Sequence, residues 1–130
     1  MYYASSQDAD NCSGSGSGDE TSLVASLDQC VNASPGTYYF TYLYKSSGSG
    51  TGYGYCYVNA NPTTCPTNVS DSMTGHWDLT TTSAGVWERA SMMTLVAPTG
   101  TKSLHVFCVP MVGFGFYDQI YLGTSSSTSF

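Results

Sequence analysis

Three tyrosines occupy alternate positions in G-Y-G-Y-C-Y-V-N (residues 52–59), and the chain's two histidines stand beside aromatic residues, His76 in H-W-D and His105 in L-H-V-F. Side chains two apart on an extended strand share a face. If Cys56 and Val58 face a core, Tyr53, Tyr55 and Tyr57 line the opposite side. By the same alternation Leu104, Val106 and Cys108 point inward and His105 and Phe107 outward, while Trp77, flanked by His76 and Asp78, supplies another ring. Aromatic plates edged by imidazole, amide and carboxylate groups match a ligand with apolar C–H faces and many hydroxyls. The chemistry these residues offer is recognition of a neutral polar ring.

Bond-breaking chemistry is poorly supplied. The acids are Glu20, Glu88 and seven aspartates, several in loops, and no pair stands out as the two carboxylates, about 5–10 Å apart, that glycoside hydrolysis requires. No G-x-S-x-G, H-E-x-x-H or phosphate-loop motif occurs. A cysteine nucleophile paired with His76 or His105 is disfavoured, because apolar surroundings raise a thiol's pKa. The chain therefore reads as a binding protein and not an enzyme. A net charge of −6, a pI near 4.3 and only Lys45, Arg89 and Lys102 as cations exclude a nucleic-acid partner. No apolar run of 18 residues is present, so no membrane insertion is expected.

Cys12, Cys30, Cys56, Cys65 and Cys108 lack the close pairing of zinc ligands and read as disulfide formers. Cys56 and Cys65 flank a turn-rich connection short enough for its ends to meet, which favours that bridge. Cys12 with Cys30 would then tie the glycine-rich N-terminal loop to the first strand, leaving Cys108 as a buried free thiol. A bridge between Cys30 and Cys65 is the rival. Asn11, Asn32 and Asn68 each begin an N-glycosylation tripeptide. Met1-Tyr-Tyr-Ala has neither a charged n-region nor an apolar h-region, so the expectation is a mature or excised domain of a secreted, extracellular protein.

Strands must position these residues. T-Y-Y-F-T-Y-L-Y-K is dense in β-formers, and Pro35-Gly36 opens it with a turn. Tyr38, Phe40, Tyr42 and Tyr44 share one parity and are expected at the core and its rim. Further strands are expected at H-W-D-L-T-T-T, V-W-E-R-A-S-M-M-T-L-V, K-S-L-H-V-F-C-V and F-G-F-Y-D-Q-I-Y-L, with A-P-T-G as a tight turn. S-G-S-G-S-G (13–18) and S-S-G-S-G-T-G (46–52) are flexible loops within one domain spanning 1–130, and residues 124–130 form a Ser-rich tail. No amphipathic helix is evident, so the fold class is all-β, a two-sheet sandwich or a barrel. In F-G-F-Y-D-Q-I-Y-L, strict alternation puts Asp118 on one face with Phe114, Phe116, Ile120 and Leu122. A carboxylate there needs backbone N–H groups, a cation or a metal.

The segment G-V-W-E-R-A-S-M-M-T-L-V-A-P-T-G-T-K-S-L-H-V-F-C-V, followed by F-Y-D-Q-I-Y-L, resembles the C-terminal half of the carbohydrate-binding modules of the family 4, 9 and 22 type. Upstream, Gln29-Cys30-Val31, Pro35-Gly36, Tyr38, Phe40 and Lys45 resemble the same group's entry into its first central strand, and the likeness spans about residues 20–123. It implies a two-sheet antiparallel jelly-roll that binds polysaccharide without catalysis, for which the residues singled out by alternation and ring chemistry, Tyr53, Tyr55, Tyr57, Trp77, His105 and Phe107, would form the platform. Trp87 falls where these modules keep a structural tryptophan. Asp118 falls where they hold a structural calcium ion against the N-terminal loop, here carrying Asp8, Asp10, Asp19 and Glu20. Without an ion, Asp118 would simply accept backbone N–H bonds at a strand bulge. The alternative function is a self-assembling extracellular fibre or coat subunit, glycosylated at its sequons, in which the tyrosine faces mediate self-association.

Overall fold

The computed structural model describes residues 2–5, 27–47, 50–65, 73–110 and 114–127; Cys12, Asn68 and the N-terminal acidic residues lie outside them. Among these residues nine strands follow in order: β1 (Tyr2–Ser5), β2 (Leu27–Asn32), β3 (Gly36–Ser46), β4 (Gly52–Asn61), β5 (Gly75–Ser83), β6 (Glu88–Arg89), β7 (Met93–Ala97), β8 (Ser103–Pro110) and β9 (Phe114–Gly123). They form two antiparallel sheets, the all-β sandwich that the pattern predicts. The first runs β1-β9-β3-β6, with β7 also paired to β3, and the second runs β2-β8-β4-β5.

Alternation on β3 and β4 builds the core between the sheets. Phe40, Tyr42 and Tyr44 of β3 are fully buried and meet Cys56, Val58 and Ala60 of β4, Leu104, Val106 and Cys108 of β8, and Tyr117 of β9. A phenol buried in an apolar interior needs a hydrogen-bond partner. The Tyr42 hydroxyl lies 3.0 Å from the carbonyl oxygens of both Gly54 and Leu79. The Tyr117 hydroxyl accepts the Tyr55 N–H at 3.1 Å and donates to the Val109 carbonyl, so it is wedged into the β4–β8 ladder. Burial raises the pKa of Tyr42, Tyr44 and Tyr117 well above the ordinary tyrosine value. Two glycines make room for this layer: a Cβ on Gly54 or on Gly115 would stand 2.5 Å from the Tyr44 ring.

The last strand departs from regular alternation. Thr41 pairs with Tyr121 and Leu43 with Asp118, so β9 spends one residue more than β3 over that interval. Gln119 takes up the surplus with φ of 45°, in the left-handed region. Parity therefore flips along β9. Tyr117 faces the core before the bulge, and Ile120 and Leu122 face it afterwards. Asp118 stays with Phe116 on the outer side, while Ile120 and Leu122, expected on the same face as Asp118, turn to the core, a correction to strict alternation. Its Oδ1 accepts the Gln119 N–H at 2.8 Å, and Arg89 donates to the Gln119 side-chain oxygen.

On the other flank of β3 the expected single strand over 86–96 is split into β6 and β7. Leu43 pairs with Arg89 and Phe40 with Met93, which leaves three residues, 90–92, opposite two on β3. Ala90 tucks inward there. Its N–H donates to the Tyr42 carbonyl at 3.0 Å, and its carbonyl accepts the buried Thr41 hydroxyl at 2.7 Å. Both neighbours of β3 thus carry an extra residue at the same level.

The disulfides differ from the expected pairs. Cys30 is bridged to Cys65, the rival pairing, and Cys56 to Cys108. Sequence proximity favoured Cys56 with Cys65, but the register sets Cys56 directly opposite Cys108 on the inner face, with Cα atoms 4.1 Å apart. Cys108 is therefore bridged and not a free thiol. The expected partner of Cys30, Cys12, lies outside the described residues.

Candidate functional site

Register assembles the outer face of the second sheet from four strands far apart in sequence. One cross-strand row reads Asp28 (β2), Phe107 (β8), Tyr57 (β4) and Asp78 (β5), and the next reads Cys30, His105, Asn59 and His76. Three strand spacings separate the ends of each row, roughly 14 Å. Tyr55 and Tyr53 continue the aromatic line along β4. Tyr53, Tyr55, Tyr57, His105 and Phe107 are therefore brought onto one surface, as alternation predicts.

Trp77 is not on it. It pairs with Val58, and both point to the inner face, where the indole packs against the core. Its neighbours His76 and Asp78 suggest a place in the site, yet those neighbours are on the outer face for the same reason that Trp77 is not. Trp87 lies in the connection between β5 and β6 and is 36% exposed.

The rings are packed on one another. Tyr57 and Phe107 stack with centroids 4.8 Å apart and planes 18° from parallel. Tyr55 and His76 approach Tyr57 at 5.7 and 5.2 Å, and His105 lies 4.0 Å from Phe107. Such offset-stacked and tilted pairs contribute about 0.5–1.5 kcal/mol each beyond the area they bury. The outcome is a ladder of ring edges and hydroxyl tips, not the open plate expected. Tyr53, 48% exposed, has no ring contact among the described residues and leaves its faces accessible.

Polar groups border this ladder on both sides. Asp78 accepts the Tyr55 hydroxyl and lies 2.9 Å from His76 Nε2, while His76 Nδ1 meets the side-chain oxygen of the nearly buried Asn59. On the other side His105 Nε2 lies 3.8 Å from Asp28, and His105 Nδ1 is buried without a partner among the described residues. Asp28 and Asp78 are each about half exposed. Burial, reinforced by the Asp78 hydrogen bond and charge, pushes the Tyr55 phenol up to about 12. Tyr57 is raised by burial and by the charges of Asp78 and Asp28. Lys45, Arg89 and Lys102 all lie off β2, β4, β5 and β8. Asp28 and Asp78 stand on the two outermost strands of the sheet, with their backbones roughly 14 Å apart.

Asp28 and Asn59 were missed by sequence reasoning, because nothing local marks them. They enter the site only through pairing with Phe107 and with His76 and His105. As for calcium, Asp118 contributes a single carboxylate, and no group of three His, Cys, Asp or Glu side chains that could hold a metal ion occurs among the described residues. Asp8, Asp10, Asp19 and Glu20 lie outside those residues. Among the described residues, no helix is long and apolar enough to cross a membrane. No protein-family model and no curated protein sequence matches the chain.

Proposed function

We propose that the outer face of the second sheet binds a neutral polysaccharide without catalysis, as one module of a secreted or cell-surface protein. The observation that carries this reading is the row Asp28–Phe107–Tyr57–Asp78, an apolar stacked pair with a hydrogen-bond acceptor at either end. A sugar chain lying across this face would set C–H groups against the accessible face of Tyr53, and hydroxyls against carboxylates, imidazoles and phenols. The absence of lysine or arginine from these strands disfavours uronic or sulfated chains. Two disulfides fit an oxidising compartment.

Affinity electrophoresis against soluble β-glucans, xylans and mannans tests the proposal. At least one polymer should retard the protein, with a dissociation constant between micromolar and sub-millimolar, about −5 to −8 kcal/mol. Tyr57→Ala should abolish the retardation and Asp78→Asn should weaken it. Retardation by none of these polymers, or equal retardation of both variants and the wild type, would count against the site.

A further inference from the structure

The strand β5 ends the second sheet, and among the described residues no strand pairs with its free side. It pairs with β4 through nine consecutive residues, Gly75 to Ser83, without a register shift. Exposed edges of this kind are normally blunted by lysine, proline or a bulge. G-H-W-D-L-T-T-T-S has none of these three, and Asp78 is its one charged side chain. The opposite edge, β2, differs: the Cys30–Cys65 bridge and the bond from the Cys65 N–H to Asn32 Oδ1 fasten a loop against it.

The direction of each backbone group on β5 follows from the bridge on the neighbouring strands. Cys56 and Cys108 are opposed with Cα atoms 4.1 Å apart, the close spacing of a pair that does not exchange backbone hydrogen bonds. The N–H and C=O of Cys56 therefore point towards β5 and bond Leu79, its partner there. Alternation then directs the backbone groups of Trp77, Leu79 and Thr81 at β4. Those of His76, Asp78, Thr80 and Thr82 face outward, and no hydrogen bond joins them to another described residue.

We propose that a second copy of this chain pairs with β5 antiparallel about a twofold axis at Leu79, joining two second sheets into one continuous sheet. Leu79 is the midpoint of β5, so this register alone pairs the whole strand from Gly75 to Ser83. Every opposition it creates is compatible. Asp78 meets Thr80 of the second copy, His76 meets Thr82, Trp77 meets Thr81, and the two Leu79 side chains meet on the axis. The outward groups of His76, Asp78, Thr80 and Thr82 each find a complementary group on the other copy. The two Asp78 carboxylates are set diagonally, roughly 7–8 Å apart at the Cα level, and not directly opposed. The two aromatic ladders come to lie on the same side of the joined sheet.

Sedimentation of the whole chain across a dilution series, with amide hydrogen exchange at both ends of the series, tests the proposal. The wild type should be a dimer that dissociates on dilution. Thr80→Pro removes one outward N–H without touching the β4 ladder, so it should sediment as a monomer at a concentration where the wild type is dimeric, and melt with the diluted wild type. The amides of His76, Asp78, Thr80 and Thr82 should gain protection with concentration, whereas those of Trp77, Leu79 and Thr81 should be protected throughout. A wild type that stays monomeric, a folded Thr80→Pro variant that still dimerises, or outward amides whose protection ignores concentration would each overturn the proposal. If Thr80→Pro fails to fold, the exchange pattern of the wild type decides.

Discussion

Replacing Tyr117 by phenylalanine should destabilise the protein at neutral pH and yet make it more resistant to alkali. At pH 7 the variant loses only a hydroxyl, but that hydroxyl accepts the Tyr55 N–H and donates to the Val109 carbonyl in a fully buried setting. Leaving those groups unpaired costs about 1–3 kcal/mol. With an unfolding entropy of about 2.1 cal/mol/K per residue, a chain of 130 residues would lose about 4–11 °C in melting temperature. The alkaline limb runs the other way. Burial holds the folded-state pKa of Tyr117 above its unfolded value of 10.0, so its contribution is complete below about pH 10 and is lost as pH rises towards the folded value. In that window the wild type forfeits about 1.4 kcal/mol per pH unit through this residue alone, and the variant does not. A deficit of about 2 kcal/mol should therefore close near pH 11.5. Urea unfolding followed by tryptophan fluorescence at pH 7, 10, 11 and 11.5 measures the difference directly. A gap that stays constant or widens above pH 10 would mean that the Tyr117 phenol ionises freely within the fold, and equal stability at pH 7 would refute the wedge.

Denatured, unreduced protein should react with a thiol reagent at one cysteine per chain, and peptide mapping should place the label at Cys12, since Cys30, Cys56, Cys65 and Cys108 are all bridged; a label at Cys108 would contradict the β4–β8 staple. Removing either bridge by paired alanine substitution should cost about 4 kcal/mol on chain-entropy grounds, given sequence separations of 35 and 52. Asp118→Asn should lower stability by about 1 kcal/mol with or without calcium, because it weakens the charge-assisted bond to the Gln119 N–H. A wild-type melting temperature that falls with chelator and recovers with calcium, in a way Asp118→Asn lacks, would instead assign the ion to this carboxylate.

Period-two patterning carried the reading as far as local regularity holds. Tyr53, Tyr55 and Tyr57 on β4, and His105 and Phe107 on β8, follow from alternation alone, as does the buried parity of Phe40, Tyr42 and Tyr44. Trp77 was misplaced although the same rule, applied to H-W-D, separates it from both its neighbours. The misfit of Asp118 in F-Y-D-Q-I-Y-L raises a strand bulge only as its ion-free explanation, and nothing marks Gln119 as its place, because the bulge arises where β9 meets β3 and glutamine is not a residue that announces a positive φ. The break at Ala90 is of the same origin. Disulfide partners were illegible for a related reason: Cys56 and Cys108 are 52 residues apart and meet only through register. Asp28 and Asn59 joined the site by that route too. What sequence withholds here is non-local pairing, and every correction except that of Trp77 comes from it.

The staple between Cys56 and Cys108 has a bearing on how the outer face would greet a ligand. Cys56 lies between Tyr55 and Tyr57, and Cys108 directly follows Phe107, so the bond sits immediately behind the stacked rings and on the opposite side of the sheet. Covalently joined strands cannot slide past each other, and the spacing of Tyr57 and Phe107 is set when the chain folds and oxidises. Whatever docks on that face meets a preorganised surface whose side chains have already surrendered much of their rotamer freedom. Binding there would owe little of its entropy change to the protein, and its selectivity would come from ligands that fit a fixed template rather than from a face that adapts to them.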